Sequence, residues 1–310
     1  MDTKSKVKGV IYAMVAAATY GMIPLFALPL YADGLNPDSV LFFRYMFAIA
    51  ILAAMIKLRG REFAVKRSEI LPLMAMGVIM SLSSLTLFGS YQYMDGGIAS
   101  TILFVYPVLV AVIMALFFKE KITVVTMLCI VFALGGILLL YNGDNNVSLS
   151  IKGTTLVLLS ALFYAIYIVS VNRSVLKKIP TVKLTFYMLL FGISLFIYRI
   201  DFGSSVIVPT KWYLWGNLFS LALFPTAISF ICTTKAVQHI GATSTSIFGA
   251  LEPVTAVVIG VTLFGEQLTL RIVVGLVMII MAVTFVVTGD RVNIYLLRFR
   301  KMFPKLKKRK

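Results

Sequence analysis

The chain has 310 residues, 60% of them hydrophobic and only 13% charged, with a mean hydropathy of +0.97. That is more apolar surface than one water-soluble core can bury, so the sequence describes an all-α polytopic membrane protein, and its net charge of +17 marks cytoplasmic loops, not nucleic-acid binding. The single histidine, His239, excludes a multi-histidine metal site; no Gly-x-x-x-x-Gly-Lys-Ser/Thr motif occurs, and Cys129 and Cys232 lie inside apolar runs, so no metal, cofactor or disulfide is expected.

Hydrophobic runs of about 17 to 25 residues cross a ~30 Å hydrocarbon layer as helices. Ten are expected, at 9–30, 39–56, 70–91, 97–118, 122–141, 153–172, 182–200, 213–234, 241–264 and 268–288. They are continuously apolar, without the alternation of a membrane β-barrel. The first follows Lys4, Lys6 and Lys8 and contains Ala16-Ala17-Ala18, as a signal peptide would, but it continues to Leu30 and a similar segment recurs in mid-chain. It is therefore read as a retained helix. Counted by alternate loops with the N-terminus inside, 24 lysines and arginines fall inside and 4 outside, with Arg44 left within the second helix. Both termini are accordingly expected in the cytoplasm.

A shift of 146 residues aligns Ser83 to Val131 with Ser229 to Val277, bringing Gln92 onto Gln238, Ser100 onto Ser246, Pro107 onto Pro253, Glu120 onto Glu266 and Thr123 onto Thr269. A shift of 144 brings Lys8-Gly9, Ala17 and Tyr20 onto Lys152-Gly153, Ala161 and Tyr164. The expected organisation is a cytoplasmic N-tail (1–8), a five-helix repeat (9–141), an outside linker (142–152), a second five-helix repeat (153–288) and a basic cytoplasmic tail (289–310). Because five is odd, the second copy enters the membrane from the opposite side. Inverted repeats are the usual basis of alternating access; duplication kept only for packing is the plainer alternative.

The fourth helix reads Ile-Leu-Phe-Val-Tyr-Pro-Val at 102–108, then Phe-Phe-Lys-Glu at 117–120; the ninth reads Leu-Glu-Pro-Val at 251–254, then Leu-Phe-Gly-Glu at 263–266. With Arg44-Tyr45 near the start of the second helix, the chain from Lys8 to about Thr288 resembles the EamA family of the drug/metabolite transporter superfamily. The resemblance implies ten helices, cytoplasmic termini and secondary transport of small metabolites, often export of amino acids or related compounds; an inner-membrane location is expected, and with no paired carboxylate motif or histidine base a membrane-embedded transferase is the weakest alternative and no enzymatic activity is expected. It does not fix a substrate. Tyr106 stands in the first half where Glu252 stands in the second, which confines any ion role of that position to one half.

Glu252 lies about eleven residues into the ninth helix, ~16 Å from its start by helical rise and so near mid-membrane. A charge there costs at least ~2.5 kcal/mol. It is either a proton-coupling or substrate-amine site, or a neutral carboxyl bonded to its neighbours beside Pro253, with Lys235 and Arg44 the nearest cations in sequence terms. Thr245 shares its stripe with Gly241, Gly249, Ala256 and Gly260, a small face suited to close packing or to lining a cavity. Pro107 and Pro253 lack an amide donor, so bends are expected at corresponding depths, as hinges or as static curvature. Tyr20, Tyr164, Ser83, Ser229 and Tyr106 are the further candidates for the cavity.

Arg44 either snorkels to the outside surface or makes an ion pair or anion contact. Tyr91, Tyr93, Tyr213, Trp212 and Trp215 suit an interfacial belt, and Glu120 and Glu266 suit tight turns. The tail mixes basic residues with Tyr295, Leu296, Phe299 and Phe303 and is expected on anionic lipid. The partners expected are therefore the bilayer and a small-molecule substrate, with protons a candidate coupling ion and the oligomeric state unspecified. A non-transporting membrane receptor or assembly subunit is the alternative.

Overall fold

The computed structural model describes residues 3–118, 131, 132, 135, 150–249, 251–265, 267–278, 280 and 281. The expected helix at 122–141 lies outside the described residues except for 131, 132 and 135, as do Glu120, Thr123, Cys129 and Glu266, linker residues 142–149, and the tail 289–310. The helices are α1 (Thr3–Tyr20), α2 (Ile23–Ala32), α3 (Pro37–Leu58), α4 (Arg67–Ser90), α5 (Gly96–Leu103), α6 (Tyr106–Phe118), α7 (Ile151–Arg173), α8 (Thr181–Arg199), α9 (Trp212–Ala222), α10 (Ser229–Ile240), α11 (Ala242–Phe248) and α12 (Leu251–Phe264). Residues 270–278 are also helical, and the described residues contain no strand.

Seven segments are long and apolar enough to cross a membrane, some of them built from two consecutive helices: Val7–Ala32, Pro37–Leu58, Arg67–Ser90, Gly96–Phe118, Ile151–Arg173, Thr181–Arg199 and Trp212–Ile240. Only 44–56% of each apolar window is buried inside the protein. The remainder faces outward, with Leu71 74% and Phe117 76% exposed. Outward apolar surface on that scale belongs in lipid, so the molecule is a multi-pass all-helical membrane protein.

Local sequence sets the helix ends. The Asn36 side chain accepts from the Ser39 amide at 2.8 Å and caps α3, whose first turn holds Pro37, where a missing amide hydrogen costs nothing. The spans themselves are less regular than unbroken apolar runs imply. The first, fourth and ninth expected helices are each divided, at Gly21-Met22, at Phe104-Val105 and after Phe248. Pro24, Pro107 and Pro253 each stand in the first turn of the second piece, so each proline starts a helix and does not bend one. Gly241 ends α10 at φ +84, so the expected ninth helix begins one residue later and its small stripe is shared between α11 and α12.

The Trp212–Ile240 span contains a π-helical turn, Leu223–Ile228, around Pro225. A wider turn accommodates a residue that cannot donate to the preceding turn. Thr226 Oγ1 donates to the Leu221 carbonyl at 2.8 Å, satisfying one of the acceptors that the irregular turn frees.

Packing between the halves is reciprocal. α4 packs on α7, and the equivalent α10 packs on α1; α5 packs on α12, and α6 on α11. The last two contacts mean that the equivalent spans 96–118 and 242–264 cross antiparallel at the centre. At the α4–α8 crossing a Cβ added to Gly77 would lie 2.7 Å from the Met188 carbonyl oxygen, so the two backbones touch there directly.

Candidate functional site

The divided fourth and ninth helices of the expected set bring the first turns of α6 and α12 together at the centre of the molecule. Tyr106 Oη donates to Glu252 Oε1 at 3.3 Å across 146 positions of sequence, the offset that relates the two halves. Glu252 is 4% exposed, and its Oε2 has no hydrogen-bond partner among the described residues. Tyr20 and Tyr164, also equivalent positions, stack with centroids 5.6 Å apart and planes 6° from parallel. Tyr106 meets Tyr164 edge-on at 4.7 Å.

Four of the residues expected at the cavity thus form one cluster around a single carboxyl. The first turns of α6 and α12 add the partial positive charge of helix N-termini beside it. Tyr106, Tyr164 and Glu252 line, with Thr233, Thr245, Gly249 and small residues of α1, a cavity of ≈ 10 Å³, room for about one water. The centre is closed in this conformation.

Polar contacts between the halves hold both ends. At one end Arg199 binds Asp38 bidentately at 2.5 and 3.0 Å, and Thr210 bonds to Asp33. At the other, Lys183 donates to the Ala64 carbonyl at 2.8 Å, Tyr187 to that of Phe63, and Ser5 bonds to His239. Each end carries a surface pocket, ≈ 430 Å³ beside Asp38 and Arg199 and ≈ 580 Å³ beside Lys66 and Lys183. Neither is lined by Tyr106, Tyr164 or Glu252.

Ser83 and Ser229 are placed elsewhere, at the helix crossings beside this cluster. Ser83 Oγ donates to the Ser160 carbonyl at 3.0 Å and Ser160 Oγ to that of Ser83 at 2.7 Å; Ser229 Oγ donates to the Ala16 carbonyl at 2.9 Å. Ala16 and Ser160 correspond under the shift of 144, so these are two copies of one interhelical contact. Ser83→Ala and Ser229→Ala are each expected to lower stability by about 0.6 kcal/mol, and at most ~1.7. Thermal unfolding in detergent measures this. A change in substrate affinity with unchanged stability would instead put the hydroxyl in the cavity.

Several sequence expectations are corrected. Arg44 does not snorkel: it is 0% exposed, with Nε on Thr226 Oγ1 at 2.5 Å. Lys235 sits 4.7 Å from the centre of the Tyr12 ring and not on Glu252, whose bonded partner is Tyr106. Tyr91 is buried, unlike Tyr93, Tyr213, Trp212 and Trp215. The pairing of Tyr106 with Glu252 was missed, although the repeat offset carried the signal, because equivalent positions on helices that cross at a symmetry axis meet each other. Among the described residues no group of three His, Cys, Asp or Glu is arranged to hold a metal.

A family model described as the EamA-like transporter family matches residues 7–142 and again residues 151–288. The chain belongs to this family. Like other EamA-like proteins it is a membrane transporter, and each half of the chain carries one copy of the family's unit. An "Uncharacterized transporter" of Archaeoglobus fulgidus is 26% identical over 82% of this chain and 89% of its own length. YyaM of Bacillus subtilis, also named an uncharacterized transporter, is 25% identical over 88% of this chain and 92% of its own. A solved crystal structure matches with a TM-score of 0.68 at 14% identity, covering 91% of this chain and 97% of the other, so the fold is shared over almost the full length.

Proposed function

We propose that this EamA-like protein is a secondary transporter of the inner membrane, built of ten helices in two inverted five-helix repeats with both termini cytoplasmic, which moves a small metabolite by alternating access. The observation that carries the reading is the meeting of equivalent residues, Tyr20 with Tyr164 and Tyr106 with Glu252, around a closed centre, with a separate surface pocket at each end that we read as a vestibule. Two antiparallel halves exchange conformations, and the centre opens first to one vestibule and then to the other. The breaks before Pro107 and Pro253 are the hinges, since a divided helix lacks part of the backbone ladder that resists bending. Thr245 lines the path.

Glu252 takes up and releases the coupling proton, and Tyr106 holds its carboxyl in the closed state. An amino acid or related compound, moved outward, is the cargo that the family resemblance favours. Ser83 and Ser229 serve the path indirectly by fixing the helices that bound it.

The test is counterflow in proteoliposomes at equal pH, loading unlabelled amino acids and other small metabolites and following labelled entry. Entry sustained by one solute class is the expected result. No exchange by folded protein across a broad pool overturns the reading in favour of a receptor or assembly subunit.

A further inference from the structure

The central carboxyl has a counterpart of opposite charge that coupling leaves unused. Arg44 stands seven residues after Pro37 at the start of α3, about 10 Å into the span by helical rise. Its side chain is fully buried. A guanidinium stays ionised in proteins and offers five N–H donors in a rigid planar fork. Here Nε donates to Thr226 Oγ1 at 2.5 Å, Nη2 reaches the Pro225 carbonyl at a long 3.4 Å, and the Phe88 ring lies 5.0 Å from Cζ.

Among the described residues Nη1 has no hydrogen-bond partner, and the ion pairs seen there belong to Arg199 and Lys211, not to Arg44. One hydroxyl, one distant carbonyl and an aromatic face neutralise little of a full charge removed from water. Such a group is stabilised by an anion. Both hydrogen-bond partners belong to the π-helical turn of the Trp212–Ile240 span, a kind of irregular turn found frequently at functional sites. The π-helical turn that holds Arg44 also packs on α1, the helix that ends at Tyr20.

We infer that Arg44 recognises a carboxylate on the transported solute. Nη1 and Nη2 offer the bidentate edge that a planar oxyanion fits, with Nη2 giving up its long contact to Pro225. A monoanion matches the single positive charge, whereas a phosphate dianion would leave excess negative charge in the span. The inference rests on the reading of the chain as a carrier and names the chemical feature its cargo must have.

The experiment uses full-length protein in proteoliposomes loaded with a pool of monocarboxylates that includes the amino acids. The labelled solute that exchanges is competed with its unlabelled self and with its own primary carboxamide. Wild-type protein should be inhibited at least about tenfold more weakly by the carboxamide, as expected when a charge-assisted hydrogen bond is lost. In Arg44→Gln this preference should shrink to about threefold or less, while Arg44→Lys, keeping the charge without the planar fork, should retain part of it.

Equal inhibition of the wild type by acid and carboxamide overturns the inference, and this arm needs no folded variant. Full preference in Arg44→Gln overturns it as well, as does lowered thermal stability in that variant with the preference unchanged, the signature of a purely structural cap on the π turn. Exchange that ignores the carboxylate leaves the carrier reading standing, whereas no exchange of any solute removes both.

Discussion

Glu252→Gln is expected to abolish accumulation driven by a pH gradient while leaving equal-pH counterflow largely intact. The glutamine has the size of the protonated acid, is neutral at every pH, and can still accept from Tyr106 Oη, so the closed centre survives the change. What it lacks is a proton to release. For one coupled proton, each unit of pH difference is worth about 1.4 kcal/mol and supports about tenfold accumulation. Wild-type vesicles should therefore approach that ratio and the variant a ratio of about one. Accumulation unchanged in Glu252→Gln would remove Glu252 from coupling and leave it a buried structural carboxyl. Tyr106→Phe is the companion variant: it keeps the carboxyl and its proton, so coupling should persist, with a stability loss of about 0.6 to 1.7 kcal/mol for the missing bond.

The chain announces its membrane nature and most of its spans through composition, because a span must hide every backbone polar group and present apolar side chains to lipid. Those demands leave runs visible without any structure. The repeat was legible for a similar reason: Pro107 with Pro253 and Tyr20 with Tyr164 survive at fixed offsets where the surrounding valines and leucines are interchangeable. The interruptions were not legible. Gly21-Met22 and Phe104-Val105 are two-residue breaks inside continuous apolar segments, and hydropathy reads composition without regard to whether the backbone ladder is continuous.

Proline position carried a partial signal, since Pro24, Pro107 and Pro253 each follow a break by one to three residues; a bend at the proline and a new start just before it look alike in sequence. Arg44 shows the converse limit. Its depth in the span suits snorkelling, and only the three-dimensional position of Thr226 and Pro225, some 180 residues away, makes burial feasible. Ser83 and Ser229 were correctly paired by the repeat, but a hydroxyl in an apolar helix does not declare whether it faces a cavity or a neighbouring carbonyl.

Gly21→Ala is expected to slow counterflow by about 5- to 150-fold, the rate equivalent of the ~1–3 kcal/mol that overpacking a close contact costs. A Cβ at this position would lie 2.5 Å from the Glu252 carbonyl oxygen and 2.8 Å from Thr255 Cβ. The first of these atoms is backbone in the opening turn of α12 and cannot swing aside, so the break between α1 and α2 would have to lift away from the carboxyl-bearing turn. Gly249→Ala makes the comparison informative. Its added Cβ would overlap the Tyr106 hydroxyl and lie 2.9 Å from the Ser246 carbonyl oxygen of its own turn, so Tyr106 must leave Glu252 and that turn must adjust locally, without parting α12 from the α1–α2 break.

Rate and thermal stability measured together separate the consequences. A contact made only when the centre is closed penalises that state alone, so Gly21→Ala should lose rate with little loss of melting temperature in detergent. Loss of both in proportion would mean that the α1–α2 break and α12 move as one body throughout the cycle, which would leave the α5–α6 break before Pro107 as the working hinge. An unchanged rate in a folded Gly21→Ala protein would show that the seat of α1–α2 on α12 takes no part in transport, and the closed centre would then owe its rate control to the tyrosine cluster alone.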